Sequence, residues 1–233
     1  MAKAGTRLAG KANEILEVFT HNVAQFGYDG TNLSDIANEL SISKGTIVHH
    51  YGTKDRLLAA LHTSYMRRRL TEAKLLIGKL DHPEQQLAGL LFAFILYQEH
   101  DRDATIAFQR EVMRLAALDI DTEGLELRAE YIKLVRDVIE AGIAAGRLRK
   151  TDLRIQSLLM FGSAQWAYTW FDPSGDESAE EVGAALVDLV LGSLLVRRTA
   201  LPALADPKGL AAQTARQCLL EASAESGSGL AAS

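Results

Sequence analysis

The chain has 233 residues, 48% of them hydrophobic, with 25 Lys and Arg against 30 Asp and Glu. That length supports a substantial core, the single cysteine excludes an intrachain disulfide framework, and the longest apolar run, Leu87 to Tyr97, falls short of the roughly 20 residues of a membrane span. The net charge of −5 divides unevenly: residues 1–80 carry 11 basic and 7 acidic groups (+4), residues 81–233 carry 14 and 23 (−9), so a nucleic-acid role is open to the N-terminal part and disfavoured for the rest.

Four prolines, abundant Ala, Leu, Glu and Arg, and little Val/Ile/Thr alternation predict an all-α protein. The N-terminus has Lys3, Arg7 and Lys11 but no apolar segment of a signal peptide, so a cytoplasmic protein without membrane contact is expected. After a mobile arm over 1–6, a first helix is predicted from Arg7 to Gln25, with Ala12, Ile15, Leu16, Phe19 and Val23 on its inner stripe. Gly27 suits the position just past the helix end, and Asp29-Gly30 reads as a turn.

Residues 32–54 hold two short helix patterns joined by a three-residue break. Asn32 is placed to cap the first, with Asp35 as the acidic half of a capping box, and Ile36, Ala37 and Leu40 face a core. Ser41-Ile42-Ser43 forms the turn, Ser43 caps the second helix from Lys44, and Ile47 anchors it. Lys44, Gly45, Thr46, His49 and His50 remain for the outer face. Thr53 caps a third helix whose first residue, Lys54, stands where a phosphate meets a helix N-terminus. A recognition helix in a major groove, flanked by phosphate contacts, needs this arrangement.

Ile15, Leu16, Phe19, Phe26-Gly27-Tyr28, Thr31, Asp35-Ile36-Ala37, Ser43-Lys44-Gly45-Thr46, His50-Tyr51, Lys54 and Leu57-Leu58 together resemble the DNA-binding domain of TetR-family transcriptional repressors. The resemblance covers residues 15–61. It implies a homodimer on double-stranded operator DNA, with Ser34, Ser43, Lys44, Gly45, Thr46, His49, His50, Tyr51 and Lys54 as DNA-binding residues. The sequence departs from the family at Val48, where a phosphate-touching tyrosine is usual, and at Ser41, where glycine is usual. A left-handed Ser41 costs roughly 1 kcal/mol.

A long helix from Lys54 to Gly78 is predicted next, connecting two domains, with Leu57, Leu58, Leu61, Tyr65 and Leu70 inside. Pro83 opens the most apolar helix, and further helices are expected over 104–115, 122–145, 152–170 and 179–198. The last presents Val182, Leu186, Leu189 or Val190, and Leu194. Leu210 to Leu220 reads as a short helix, and Ser223 to Ser233, rich in Ser, Gly and Ala, as disordered. The domains are therefore expected at 1–53 (DNA-binding), 54–80 (connecting helix), 81–200 (ligand-binding and dimerisation) and 201–233 (tail).

The helices at 152–170 and 179–198 are apolar on more than one face and carry several small residues, which suits a dimeric four-helix interface formed by Leu159, Gly162, Trp166, Val182, Leu186 and Val190. Residues 108–195 resemble the effector domain of TetR-type repressors that respond to acyl-coenzyme A thioesters, through Glu111 with Arg114-Leu115, Tyr131, Gly142 with Gly146 and Arg149, Trp166, and Trp170-Phe171 with Pro173 and Gly175. A cavity edged by Phe94, Phe108, Met113, Tyr131, Trp166 and Trp170 would take an apolar chain, with Arg110, Arg114 or Arg128 meeting an anionic group at its mouth. The competing interpretation makes the aromatics core and the arginines surface.

Adjacent His49 and His50 point to different sides of a helix, and the other histidines are scattered, so no metal site or cofactor is expected. No phosphate loop, CxxC pair or nucleophile elbow is present. The expected function is ligand-responsive repression by a non-enzymatic homodimer, released by a small apolar or amphipathic effector. The alternative is an all-α enzyme or carrier with an incidental helix–turn–helix.

Overall fold

A computed structural model describes residues 2–117 and 122–231, with side chains over 10–117 and 122–224. Among these residues the fold is all-α, apart from an isolated bridge between Leu148 and Leu195. No helix is long and apolar enough to cross a membrane among the described residues.

Helix α1 (Ala2–Gly30) is interrupted at Gly27, whose φ of +73° only glycine adopts freely, as the sequence position predicts. Helix α2 (Leu33–Glu39) is capped by Asn32, whose side chain accepts from the Ser34 N–H at 2.9 Å. Helix α3 (Lys44–Tyr51) is capped by Ser43, which accepts from the Thr46 N–H at 3.1 Å. The turn between them holds Ser41 at φ +53°, a left-handed conformation that glycine adopts more readily. Helix α4 (Lys54–Lys79) starts at Thr53, whose hydroxyl accepts from the Arg56 N–H.

Helices α5 (Pro83–His100), α6 (Arg102–Leu115), α7 (Thr122–Ala144), α8 (Leu153–Gln165) and α9 (Ala179–Leu194) follow, then α10 (Leu201–Leu204) and α11 (Leu210–Ala231). Two helices end before their predicted limits. Helix α8 tightens into a 3-10 turn over Trp166–Thr169. Helix α9 stops because Leu195 turns extended: the Arg149 N–H donates to Leu194 O, and the Val196 N–H to Arg147 O. The predicted helix from Leu210 is present and longer than expected, burying Ala211, Ala212, Ala215, Cys218 and Leu219, so this part of the predicted tail is core. The disorder expected at 223–233 is not found over 223–231, where α11 continues as helix to Ala231; residues 232 and 233 lie outside those described.

The chain forms two compact units that do not follow the predicted boundaries. The first gathers α1–α3, α4 up to Arg67, α6 from Asp103, α7 up to Leu127 and the end of α11 from Ala224; the second gathers α4 from Arg68, α5, α7 from Arg128, α8–α10 and α11 up to Ser223. Helix α6, expected in the ligand-binding domain, thus belongs to the DNA-binding unit. In the first unit Ile15, Phe19, Ile36, Ile47, Leu57 and Leu58 are fully buried, each such side chain contributing about 1.5–3 kcal/mol. In the second, α9 packs so tightly on α5 that a Cβ on Gly183 would lie 2.6 Å from Phe92. Gly183, Leu186 and Val190 share that face.

Candidate nucleic-acid interface

The helix–turn–helix is built from apolar anchors inward and polar residues outward. Ile36 and Ala37 of α2 and Ile47 of α3 are buried, so the two helices hold one geometry. That leaves Lys44, Gly45 and His49 exposed, with Thr46 and His50 half-buried at the rim. A Cβ on Gly45 would meet only the Ser43 hydroxyl, at 3.5 Å, so glycine keeps the start of α3 open to close approach. Ser43 and Thr46 hydroxyls lie 2.9 Å apart and fix each other's orientation. Ser34, half-buried at the start of α2, presents its backbone N–H to Asn32 and leaves its hydroxyl for other partners. Val48 is 45% exposed, an apolar residue on an otherwise polar face.

Two residues expected at the DNA face are committed elsewhere. The Tyr51 hydroxyl donates to Ala12 O on α1 at 2.9 Å, and burial raises its pKa. The Lys54 ammonium donates to Tyr28 O and lies over the Tyr28 ring, 4.1 Å from its centroid. Burial pulls the Lys54 pKa down. Both side chains hold the three-helix core together. Sequence reasoning placed them outward because a capped helix start and a neighbouring His-Tyr pair look alike whether the polar atom faces DNA or a carbonyl.

Tyr28 is the node of the unit. Its ring packs between Lys54 and the Arg114 guanidinium, its hydroxyl donates to Asp55, and its N–H donates to Glu111 at 2.9 Å. Burial first, then the Asp55 hydrogen bond, raises its pKa. Arg110 donates to Ala24 O at 2.8 Å, and Arg114 to Asp29 at 2.7 Å. Arg110 and Arg114 therefore grip the end of α1 and do not open toward an effector cavity, which corrects their predicted role. Phe108 is also taken from that set: it stacks on Tyr65 at 4.6 Å in the core of the first unit. Met113 is 81% exposed, and Trp166 and Trp170 are 64% and 59% exposed, so none of these three lines an enclosed cavity.

Of the predicted ligand residues the structure brings together Phe94 and Tyr131, whose ring centroids lie 6.0 Å apart. Phe161 joins them, edge-on to Phe94 at 5.4 Å. Arg128 sits on α7 three residues before Tyr131, half-buried, with its pKa lowered by burial.

The predicted dimer residues also divide. Leu159 (65% exposed), Gly162 and Trp166 lie on an open face of α8 with Ile155 and Leu158. Leu186 and Val190 are 8% and 5% exposed and belong to the α9 face against α5, so they are core of the chain itself; Val182 is intermediate. The exposed apolar residue of α9 is Leu189, at 63%. A helix apolar on two sides offers two candidate seams, and periodicity alone did not separate them.

A buried, capped helix–turn–helix with basic and hydroxyl groups on its outer face, joined to a larger helical unit, defines a DNA-binding transcriptional regulator. Residues 15–61 match the family described as bacterial regulatory proteins, tetR family, and residues 80–194 match the tetracyclin repressor-like C-terminal domain. The chain belongs to the TetR family of transcriptional regulators. It is 26% identical over 192 residues to the HTH-type transcriptional repressor KstR2 of Mycolicibacterium smegmatis, across 80% of this chain and 91% of that protein. The ketosteroid transcriptional regulator KstR2 of Mycobacterium tuberculosis superposes with a TM-score of 0.72 at 23% identity, covering 80% of this chain and 96% of that one. AibR in complex with isovaleryl coenzyme A and operator DNA gives 0.68 at 23%, covering 77% and 97%. At such identities the likeness to these structures shows the fold.

Proposed function

We propose that the protein is a homodimeric, cytoplasmic repressor that leaves its operator when a small apolar or amphipathic effector, of which an acyl-coenzyme A thioester is one class, binds the second unit. It works by binding and not by catalysis. The observation that carries the DNA part is the start of α3, where Lys44 and Gly45 are exposed and Thr46 lies half-buried at the rim, on a helix anchored by buried Ile47. The likeness to a repressor named KstR2 and to AibR, seen with isovaleryl coenzyme A and operator DNA, supports repression and the effector class.

Dimerisation is supported by the open face of α8. Ile155, Leu158, Leu159, Gly162 and Trp166 follow one another at helical spacing, and the four large side chains are 50–65% exposed. Contiguous exposed apolar surface of this kind marks an association site, and a second copy presenting the same face completes a two-fold interface. The effector must prefer the conformation whose recognition helices are wrongly spaced for DNA; equal affinity for both states would shift nothing.

Fluorescence anisotropy with a labelled duplex, titrated across salt, tests this reading. Affinity should fall steeply as salt rises, because each displaced phosphate counterion adds roughly one to the log–log slope. Lys44→Ala and Thr46→Val should relax preference at particular base positions by about 1–3 kcal/mol. A flat salt response would contradict DNA binding.

A further inference from the structure

The cations of the first unit divide by whether the chain itself uses them. Lys11 pairs with Glu14, and Arg67 with Glu123. Lys54 donates to Tyr28 O, Arg110 to Ala24 O, and Arg114 to Asp29 and Glu111. Of the lysine and arginine side chains described in this unit, only those of Lys44 and Arg56 make no hydrogen bond or ion pair among the described residues. Both are exposed. An exposed arginine without a partner is common on protein surfaces, so what gives Arg56 a role is where its guanidinium lies.

A Cβ on Gly52 would meet Cδ and Nη1 of Arg56, each at 3.6 Å, so the side chain turns back from α4 and rests its guanidinium against the end of α3. Gly45, Val48, His49 and Gly52 are all exposed and recur at helical spacing opposite buried Ile47. The guanidinium therefore closes the outward stripe that Lys44 opens. Arg56 donates to no carbonyl at the end of α3, and its neighbour Asp55 accepts from the Tyr28 hydroxyl. The eight residues of α3 span about 12 Å, close to the width of a major groove. When the first residues of a recognition helix meet base edges, a cation at its far end reaches the phosphates on the rim. Two other sources of that contact are missing. Val48 stands where a phosphate-touching tyrosine is usual in the family, and the Lys54 ammonium is committed to Tyr28.

We propose that Arg56 holds an operator phosphate at the C-terminal end of α3, in the role that sequence position assigns to Lys54. This rests on the reading of the protein as a DNA-binding regulator and specifies the residue that fixes α3 in its groove. A planar guanidinium donates two parallel hydrogen bonds to phosphate oxygens, so Arg56 sets the orientation of the helix and carries no base information. Base preference stays with Lys44 and Thr46 at the other end.

Anisotropy titrations of the full chain across salt, on the duplex that the wild type selects and on one of random sequence, test the assignment alongside thermal melting. Arg56→Met keeps an unbranched side chain against Gly52 and removes the charge. It should weaken both duplexes by about tenfold, the worth of a charge-assisted hydrogen bond. The log–log salt slope should fall by about one per bound copy of the chain, with the thermal midpoint and the selected sequence unchanged. Arg56→Lys should restore most of the slope and only part of the affinity, because an ammonium lacks the two-pronged grip. Lys54→Met should do the reverse, lowering the midpoint and keeping the slope. An Arg56→Met protein with wild-type slope and affinity overturns the proposal, and a slope lost in Lys54→Met instead returns the phosphate to Lys54. Affinity that falls only together with the midpoint makes Arg56 a structural residue of the α3–α4 junction, and an altered selected sequence makes it a base reader; either result overturns the phosphate contact. The wild type separates the two readings. Salt-dependent duplex binding that Arg56→Met leaves intact overturns only the Arg56 contact, whereas a wild type that binds no duplex overturns the regulator reading and the contact with it.

Discussion

The backbone N–H of Tyr28 donates to Glu111 at 2.9 Å, joining positions 83 residues apart in the chain. Gly27 makes this possible. Its left-handed backbone breaks the hydrogen-bond ladder of α1, so the next N–H points out of the helix and needs a new acceptor. Glu111, 9% exposed, supplies it from α6. A Cβ at Gly27 would also meet the Arg110 guanidinium at 3.4 Å. The end of α1 is thereby fixed to the one helix that the sequence assigns to the other domain.

Removing the acceptor should loosen the DNA-binding unit. Glu111→Ala leaves the buried Tyr28 N–H unpaired and should lower stability by about 1–3 kcal/mol, with weaker duplex binding. Glu111→Gln keeps a carbonyl oxygen in place and should recover most of the loss. Urea denaturation with duplex titration would read both. Equal damage from Ala and Gln would show that the carboxylate acts through charge alone.

Ser41 holds φ +53° in the turn before α3. A side chain there is strained, so Ser41→Gly should stabilise the protein by about 0.5–1 kcal/mol once the extra freedom of unfolded glycine is subtracted. The preferred operator should not change, since Ser41 contributes turn geometry only. A lower thermal midpoint in the glycine variant would contradict the strain.

Glu72 should make stability depend on pH. Burial raises its pKa to about 7, against the nearby Arg69 guanidinium, which donates to it at 2.9 Å and pulls the other way. Between the unfolded value of 4.5 and about 7 the folded state binds the proton that the unfolded state has released. The Glu72 contribution is therefore complete below pH 4.5 and is lost as pH rises through about 7, by an amount on the order of 1–3 kcal/mol. Glu72→Gln should flatten the denaturation profile over this window. An unaltered slope in the variant would assign the dependence to another group.

Leu186 and Leu189 are three residues apart and should respond oppositely to a carboxylate. Leu186→Glu buries a charge beside α5, costs several kcal/mol and should unfold the second unit. Leu189→Glu, like Leu159→Glu on α8, changes an exposed face and should yield folded monomers. Light scattering and circular dichroism would distinguish them. A folded Leu186→Glu dimer would place that side chain outside the core.

Sequence made the helix–turn–helix readable because its signals are local: caps at Asn32 and Ser43, anchors at Ile36 and Ile47, and Gly27 at a helix end each act within one turn. The α6 placement was not readable, since Arg110, Glu111 and Arg114 meet partners more than 80 residues away, and charged side chains on a helix look alike whether they grip a carbonyl or face solvent. Gly183 had the right property and the wrong partner: its small size serves close packing on Phe92 within the chain.

The central claim is that two copies of α3 read DNA as a symmetric pair. Selection of bound sequences from a random duplex library by the wild-type protein tests it most directly. The account predicts one enriched sequence with two-fold symmetry, its half-sites separated by about one helical turn or a multiple of it. Enrichment of an asymmetric single half-site would contradict the paired reading, and no enrichment at all would contradict sequence recognition by Lys44 and Thr46.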